Sequence, residues 1–351
     1  MIDKNLFGTL PDGQQVYSYT LKNKVGMEVS IINYGAAVVS LTAPDRNGKF
    51  EDIVLGYDSL EGYINDKSYF GSIVGRYGNR IGKGKFSIDG SNYQLTINDG
   101  ENHLHGGING YNKVFWNAEP VTTDSSQSLK LTYVSQDGEQ GYPGTVTLQV
   151  IYTLNDNNEL QINYTGVTDK PTILNPTHHS YFNLTGNQEN TILDHELTIN
   201  AENFTPVVKG LITTGGLAKV ENTPLDFRKH EKIGLRINND FEQLKLGNGY
   251  DHNWALDNYN GKLQKAVELY DSSSGRKMEV FTDQPGMQFY SGNFLDGTIK
   301  GKKNILYKLR TGLCLEAQGF PDSPNKPSFP SVRLNPGEKY KQTTIYKFST
   351  R

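Results

Sequence analysis

Thr145-Val146-Thr147-Leu148-Gln149-Val150-Ile151-Tyr152-Thr153-Leu154 decides how the chain is read. Val146, Leu148, Val150, Tyr152 and Leu154 recur at every second position, with Thr147, Gln149 and Thr153 between them. Successive side chains of an extended backbone point to opposite faces, so this pattern predicts a strand with one face buried and one wetted. An amphipathic helix would place its apolar residues three and four apart. Asn155-Asp156-Asn157-Asn158 follows, a run that favours a turn, and alternation resumes over 159–164.

Outward from this stretch, similar alternation appears at 129–133, 196–199, 266–270 and 277–281. Pro11-Asp12-Gly13, Arg46-Asn47-Gly48, Ile88-Asp89-Gly90 and Gln136-Asp137-Gly138 read as hairpin connections, because these residues tolerate the positive φ or fixed φ that turns need. The best short helix candidate is 235–244, and no window carries a sustained helical period with caps at both ends. Neither a linker nor a regular repeat divides the 351 residues. The expectation is an all-β chain with little helix: one large antiparallel β-sandwich domain over 1–351.

The 35 basic and 38 acidic residues give a net charge of -3, which exerts no bulk attraction on nucleic acid or anionic membrane. No stretch approaches the roughly 18 apolar residues of a spanning helix. Met1-Ile2-Asp3-Lys4-Asn5-Leu6 lacks the charged and apolar segments of a secretory signal, so a cytoplasmic location is expected. Cys314 is the single cysteine, which excludes an intramolecular disulfide and a multi-cysteine zinc site.

Chemistry-bearing side chains gather in four places. Arg76 and Arg80 flank a glycine-rich stretch and read either as a fork for hydroxyls or carboxylates or, more blandly, as solvated arginines in a turn. His103 and His105 would share one face of an extended chain, although His-x-His alone is a weak metal signal. His178 and His179 fall on opposite faces, leaving His179 beside Tyr181 and Asn183. Glu316 stands with Cys314 and Gln318 opposite Leu313, Leu315 and Ala317, and a carboxylate in so apolar a strand is either exposed or held in a cleft that tunes its basicity. Asp251 and His252 beside Trp254 suit a sugar, which offers hydroxyls and apolar C–H faces.

Taken in order, Gly75-Arg76-Tyr77-Gly78-Asn79-Arg80-Ile81, Leu104-His105-Gly106-Gly107, Asp137-Gly138-Glu139-Gln140-Gly141-Tyr142-Pro143-Gly144 and His179-Ser180-Tyr181-Phe182-Asn183-Leu184 resemble the aldose 1-epimerase (galactose mutarotase) family. Asp226-Phe227-Arg228, Gly249-Tyr250-Asp251-His252-Asn253, Thr282-Asp283-Gln284-Pro285-Gly286, Tyr290-Ser291-Gly292-Asn293-Phe294 and Leu315-Glu316-Ala317-Gln318 continue the match. Each motif alone is weak; their order over nearly the whole chain is specific. The resemblance implies a β-supersandwich that interconverts the anomers of aldohexoses such as galactose and glucose without cofactor or metal. By resemblance, Glu316 is the general base, His179 the general acid and His105 a second histidine supporting proton transfer. Asn79, Arg80, Asp251 and Gln284 would hold sugar hydroxyls. His178 stands where relatives more often carry Asn; it points away from His179, so no loss of activity is expected.

A carboxylate near His179, Asp251 or Glu316, is expected to favour the protonated imidazole an acid needs. The expected partner is a small aldose, with no nucleic acid and no membrane, for a monomer or weak homodimer. Four other readings remain: a glycoside hydrolase using Asp251 and Glu316, a non-catalytic carbohydrate-binding protein, a metal-dependent isomerase using His103, His105, His179 and Glu316, and a hexose-phosphate 1-epimerase. The last would draw on the basic run Lys300, Lys302, Lys303, Lys308 and Arg310, more simply read as a solvated loop.

Overall fold

In the computed structural model of the chain, residues 2–123 and 126–351 are described. The stretch 145–154 is a strand, Val146–Asn155, whose residues alternate between buried and half-buried along its length. It pairs with Ser126–Ser135 on one side and Glu159–Thr168 on the other, and Leu154 meets Leu160 across the Asn-rich turn. These strands lie in a nine-stranded antiparallel sheet that continues through Tyr340–Thr350, Arg276–Thr282, Gln264–Tyr270, Glu196–Ile199 and Glu231–Lys232. The predicted strands at 129–133, 159–164, 196–199, 266–270 and 277–281 are all within it.

A five-stranded sheet packs across it: Ala218–Lys219, Asn203–Thr205, Asp251–Ala255, Gly286–Tyr290 and Cys314–Gln318. Met287, Phe289, Leu315 and Ala317 enter the same core cluster as Val150, Ile162, Val280 and Tyr346 of the large sheet. Removing such apolar side chains from water is the main force joining the sheets. Two hydrogen bonds fix the register between layers: the Tyr346 hydroxyl donates to the Leu315 carbonyl at 3.0 Å, and Gln342 Nε2 to the Ala317 carbonyl at 3.0 Å. A second five-stranded sheet, from Asp3–Thr9 to Phe50–Asp52, closes the flank.

Ile88-Asp89-Gly90-Ser91 forms a two-residue hairpin with φ of 51° at Asp89 and 80° at Gly90, the geometry that matches strand twist. Gln136-Asp137-Gly138 instead opens a longer connection, since Ser135 pairs with Val146 and the residues between them form an irregular loop. The helix expected at 235–244 is two short helices, Ile233–Arg236 and Glu242–Gly247. Asn238-Asn239-Asp240 lies between them, and Asn and Asp are residue types that disfavour a helix interior. With Leu60–Asn65, these are the α-helices among the described residues, and none is long and apolar enough to cross a membrane.

Candidate active site

Glu316 sits in mid-strand of Cys314–Gln318, paired with Gln288, which is paired in turn with Asn253. All five residues of that strand are buried, so alternation separates two interiors: Leu315 and Ala317 enter the core, while Glu316 faces a cavity of about 270 Å³. Asp251 and Tyr290 reach the same cavity from the neighbouring strands. The opposite wall comes from loops and two-residue strands. Arg80–Ile81 pairs with His103–Leu104, and Thr177–His178 pairs with Ile73–Val74, delivering Arg80, His105 and His179.

The cavity therefore brings together six of the seven residues expected: Asn79, Arg80, His105, His179, Asp251 and Glu316. Gln284 is placed elsewhere. It lies in the turn before Gly286–Tyr290, bonded to Asp283, and lines a different cavity with Tyr259 and Tyr340. The register explains this: Asp251 pairs with Tyr290 at one end of the strand, whereas Gln284 lies beyond Gly286 at the other. Gln288 takes the position by Asp251, donating from Nε2 to Asp251 Oδ1 at 2.6 Å, and the sequence reading missed it. Alternation carried its signal, since Gln288 is a polar residue between Met287 and Phe289, as Glu316 is between Leu315 and Ala317. Tyr69, Tyr181 and Phe294 also line the cavity, Phe294 being 57% exposed at its rim.

His103 and His105 do not share a face. His105 adopts a φ of 49°, which turns it out of the extended path. His103 is buried with Nδ1 2.6 Å from the Thr96 carbonyl and Nε2 2.6 Å from the Tyr142 hydroxyl, a structural role. Nor are the arginines solvated. Arg76 is 2% exposed and donates to the carbonyls of Pro143 and Gly144 at 2.8 Å and to Ser135 Oγ at 2.5 Å, clamping the 136–145 connection. Arg80 donates from Nε to Asp99 Oδ2 at 2.7 Å and lies 3.7 Å from Asp251 Oδ2 through Nη1. His178 turns away from the cavity toward Tyr152 and Tyr346.

Small polar contacts orient the reactive groups. The backbone N–H of Asn79 donates to His105 Nδ1 at 3.1 Å. With that nitrogen accepting, neutral His105 carries its proton on Nε2 and presents a donor. Asn79 Oδ1 accepts from the Arg80 N–H at 2.8 Å, which leaves its Nδ2 to donate. His179 Nε2 is 3.6 Å from Glu316 Oε1, and its Nδ1 is 3.6 Å from Cys314 Sγ. Glu316 Oε2 is buried with no hydrogen-bond partner among the described residues.

Burial governs the protonation of this site. It pushes Glu316 well above the carboxylate range, with the Asp251 carboxyl adding and Arg80 opposing. Asp251 is likewise raised by burial, against Arg80 and the Gln288 hydrogen bond. His179 is pushed down to about 4, and His105 falls well below its ordinary value, burial being first in both. The expectation that a carboxylate would keep His179 protonated is thereby corrected: loss of water disfavours the charge on each residue, raising Glu316 and lowering His179.

His105, His179 and Glu316 each place one ligand atom within 4.8 Å of the others, the spacing of a metal site. His105 fits poorly. Its Nδ1 is occupied by the Asn79 N–H and its Nε2 carries the remaining proton, whereas a ligating nitrogen needs a bare lone pair. The basic run is also dispersed. Lys302 Nζ is buried on Asp52 and the Val54 carbonyl, and Arg310 is buried on the Ser291 and Asn248 carbonyls.

The family model described as aldose 1-epimerase matches residues 17–347. A galactose mutarotase of Bos taurus is 44% identical over 350 residues, covering 99% of this chain and 98% of that protein. An aldose 1-epimerase of Escherichia coli is 36% identical over 340 residues, covering 96% of each. The crystal structure of a galactose 1-epimerase from Lactobacillus acidophilus superposes with a TM-score of 0.87 at 31% identity, covering 100% of this chain and 99% of that one.

Proposed function

The chain belongs to the aldose 1-epimerase family, and from that membership we infer that it is a mutarotase, an isomerase that interconverts the α and β anomers of aldohexoses such as galactose. We propose that Glu316 and His179 carry the proton transfers. Glu316 takes the proton of the anomeric hydroxyl, the C1–O5 bond breaks as C1=O1 forms, and His179 protonates O5. Rotation about C1–C2 then presents the other carbonyl face. O5 attacks it, His179 takes the proton back, and Glu316 returns the first to O1. The observation that carries this reading is the facing of His179 Nε2 and Glu316 Oε1 at 3.6 Å in one cavity.

Burial of both residues favours protonated Glu316 with neutral His179 in the sugar-free pair, which is the distribution that ring opening produces. Reaching the ring-opening distribution requires moving one proton between the two residues and none from solvent. His105, as a neutral Nε2–H donor, and Asn79, Arg80 and Asp251 hold sugar hydroxyls, and Gln288 orients Asp251. We take 1–351 as one domain, supported by a core cluster whose members run from Tyr19 to Phe348. A cytoplasmic monomer or weak dimer acting on dissolved sugar completes the reading; the single buried cysteine suits a reducing compartment.

The test is polarimetry on freshly dissolved α-D-galactose and α-D-glucose, with wild type and His179→Asn. Acceleration by wild type and its loss in the variant is the expected result. Wild type that leaves the rotation decaying at the spontaneous rate overturns the reading.

A further inference from the structure

Tyr69 holds a φ of +61°, in the left-handed region that a bulky side chain enters only when its surroundings force it. Those surroundings are visible. Asp66 Oδ1 accepts from the Ser68 N–H and the Tyr57 hydroxyl, and Oδ2 from the Phe70 N–H, each at 2.9 Å. Lys113 Nζ donates to the carbonyls of Tyr63, Ile64 and Asp66 at 3.0, 2.7 and 2.7 Å. On the far side, the Gly71 N–H donates to the His179 carbonyl at 3.0 Å and the His179 N–H to the Ser72 carbonyl at 2.9 Å. A Cβ on Gly71 would come within 2.0 Å of the Val38 carbonyl oxygen, so only glycine permits this approach.

What the frame delivers is a ring. The Tyr69 ring centre lies 4.7 Å from that of His105 and 5.7 Å from that of His179, whose own separation is 5.1 Å at 89°. His105 has a backbone hydrogen bond to fix its ring. His179 is held less firmly: beside a contact with its own backbone, its Nδ1 meets the Cys314 sulfur at 3.6 Å, a weak partner, and Glu316 is 3.6 Å from its Nε2. Packing then has to complete its orientation, and Tyr181 on one side is 5.3 Å away.

We propose that Tyr69 is a positioning residue, a strained strut whose ring sets the angle between His105 and His179 so that the acid meets the sugar's ring oxygen. The role explains why the chain holds a strained tyrosine at this point, and it rests on the acid/base assignment above. Misplacement of a reacting group by about 1 Å can cost on the order of 100-fold in rate. Since the strut acts on the acid rather than on sugar hydroxyls, its loss falls on kcat.

The experiment measures kcat and KM for galactose in wild type, Tyr69→Ala, Tyr69→Gly and Tyr69→Phe, with thermal unfolding of each. Tyr69→Ala is expected to lose about 10- to 100-fold in kcat with KM within about threefold. Tyr69→Gly suits the positive φ, stays folded and shows the same kcat loss. Tyr69→Phe restores the ring and recovers kcat to within about threefold of wild type. An active wild type with Tyr69→Ala at full kcat, or a loss confined to KM, overturns the strut alone, as does a Tyr69→Phe as impaired as Tyr69→Ala. A wild type without mutarotase activity overturns the function and the strut together.

Discussion

Glu316→Gln separates the catalytic from the structural consequences of the buried carboxyl. The amide keeps the shape of the side chain, so the cavity and the core behind it are retained. What disappears is the group that receives the anomeric proton. One positioned proton-transfer group contributes about 10²- to 10⁴-fold, which corresponds to about 3 to 5.5 kcal/mol of transition-state stabilisation. The effect on folding has the opposite sign. Glu316 is 2% exposed and its Oε2 has no partner among the described residues, so ionising it in place is costly and its folded pKa is raised. The folded chain then binds this proton more tightly than the unfolded chain, and wild-type stability falls as pH rises from the ordinary carboxylate range toward the raised value. Glutamine does not titrate. Polarimetry should show a loss of at least about 100-fold in kcat, while thermal unfolding shows a midpoint at or above wild type, with the gap widening from pH 5 to pH 8. A variant within tenfold of wild-type kcat, or one that unfolds at lower temperature at pH 8, would refute the reasoning.

His179, held down to about 4 by burial, gains a second proton for the pair only near that pH. The acid limb of kcat, measured by stopped polarimetry, should therefore fall near pH 4, where Glu316 remains protonated and no base is left; a limb near 6.5 would contradict the burial argument. Gln288→Leu removes the amide that orients Asp251 and should raise KM about tenfold, the effect of losing roughly one hydrogen bond to a charged group. Gln284→Ala, in a separate cavity, should leave KM within twofold. Arg76→Leu orphans the Pro143 and Gly144 carbonyls and should cost about 3 kcal/mol or more in denaturant unfolding, with KM of the folded fraction unchanged.

The large sheet was legible because a period of two leaves a strong trace: every alternating segment from 129–133 to 277–281 is a strand. The wall of the site was not, because Ile73–Val74, Arg80–Ile81, His103–Leu104 and Thr177–His178 are two residues long and too short to show a period. Extended-chain reasoning failed at His105 because its backbone is left-handed, which nothing in His103-Leu104-His105 announces. It succeeded at His178 and His179, where the chain is extended and the two rings diverge. Arg76 and Arg80 look alike in sequence, and only the carbonyls of a distant loop around one and the carboxylates around the other separate a clamp from a candidate sugar ligand. Glu316 stood out as a charge among apolar neighbours, and the same test would have found Gln288.

The central claim is that the C1–O5 bond opens while the anomeric oxygen stays on C1. α-D-galactose labelled with ¹⁸O at O1, converted by the wild type in the presence of chelator and sampled early by mass spectrometry, tests it directly. The account predicts accelerated conversion to the β anomer with the label retained beyond the spontaneous exchange background. Loss of the label in step with anomer conversion would mean that C1–O1 breaks instead, as in glycoside hydrolysis, and would contradict the account.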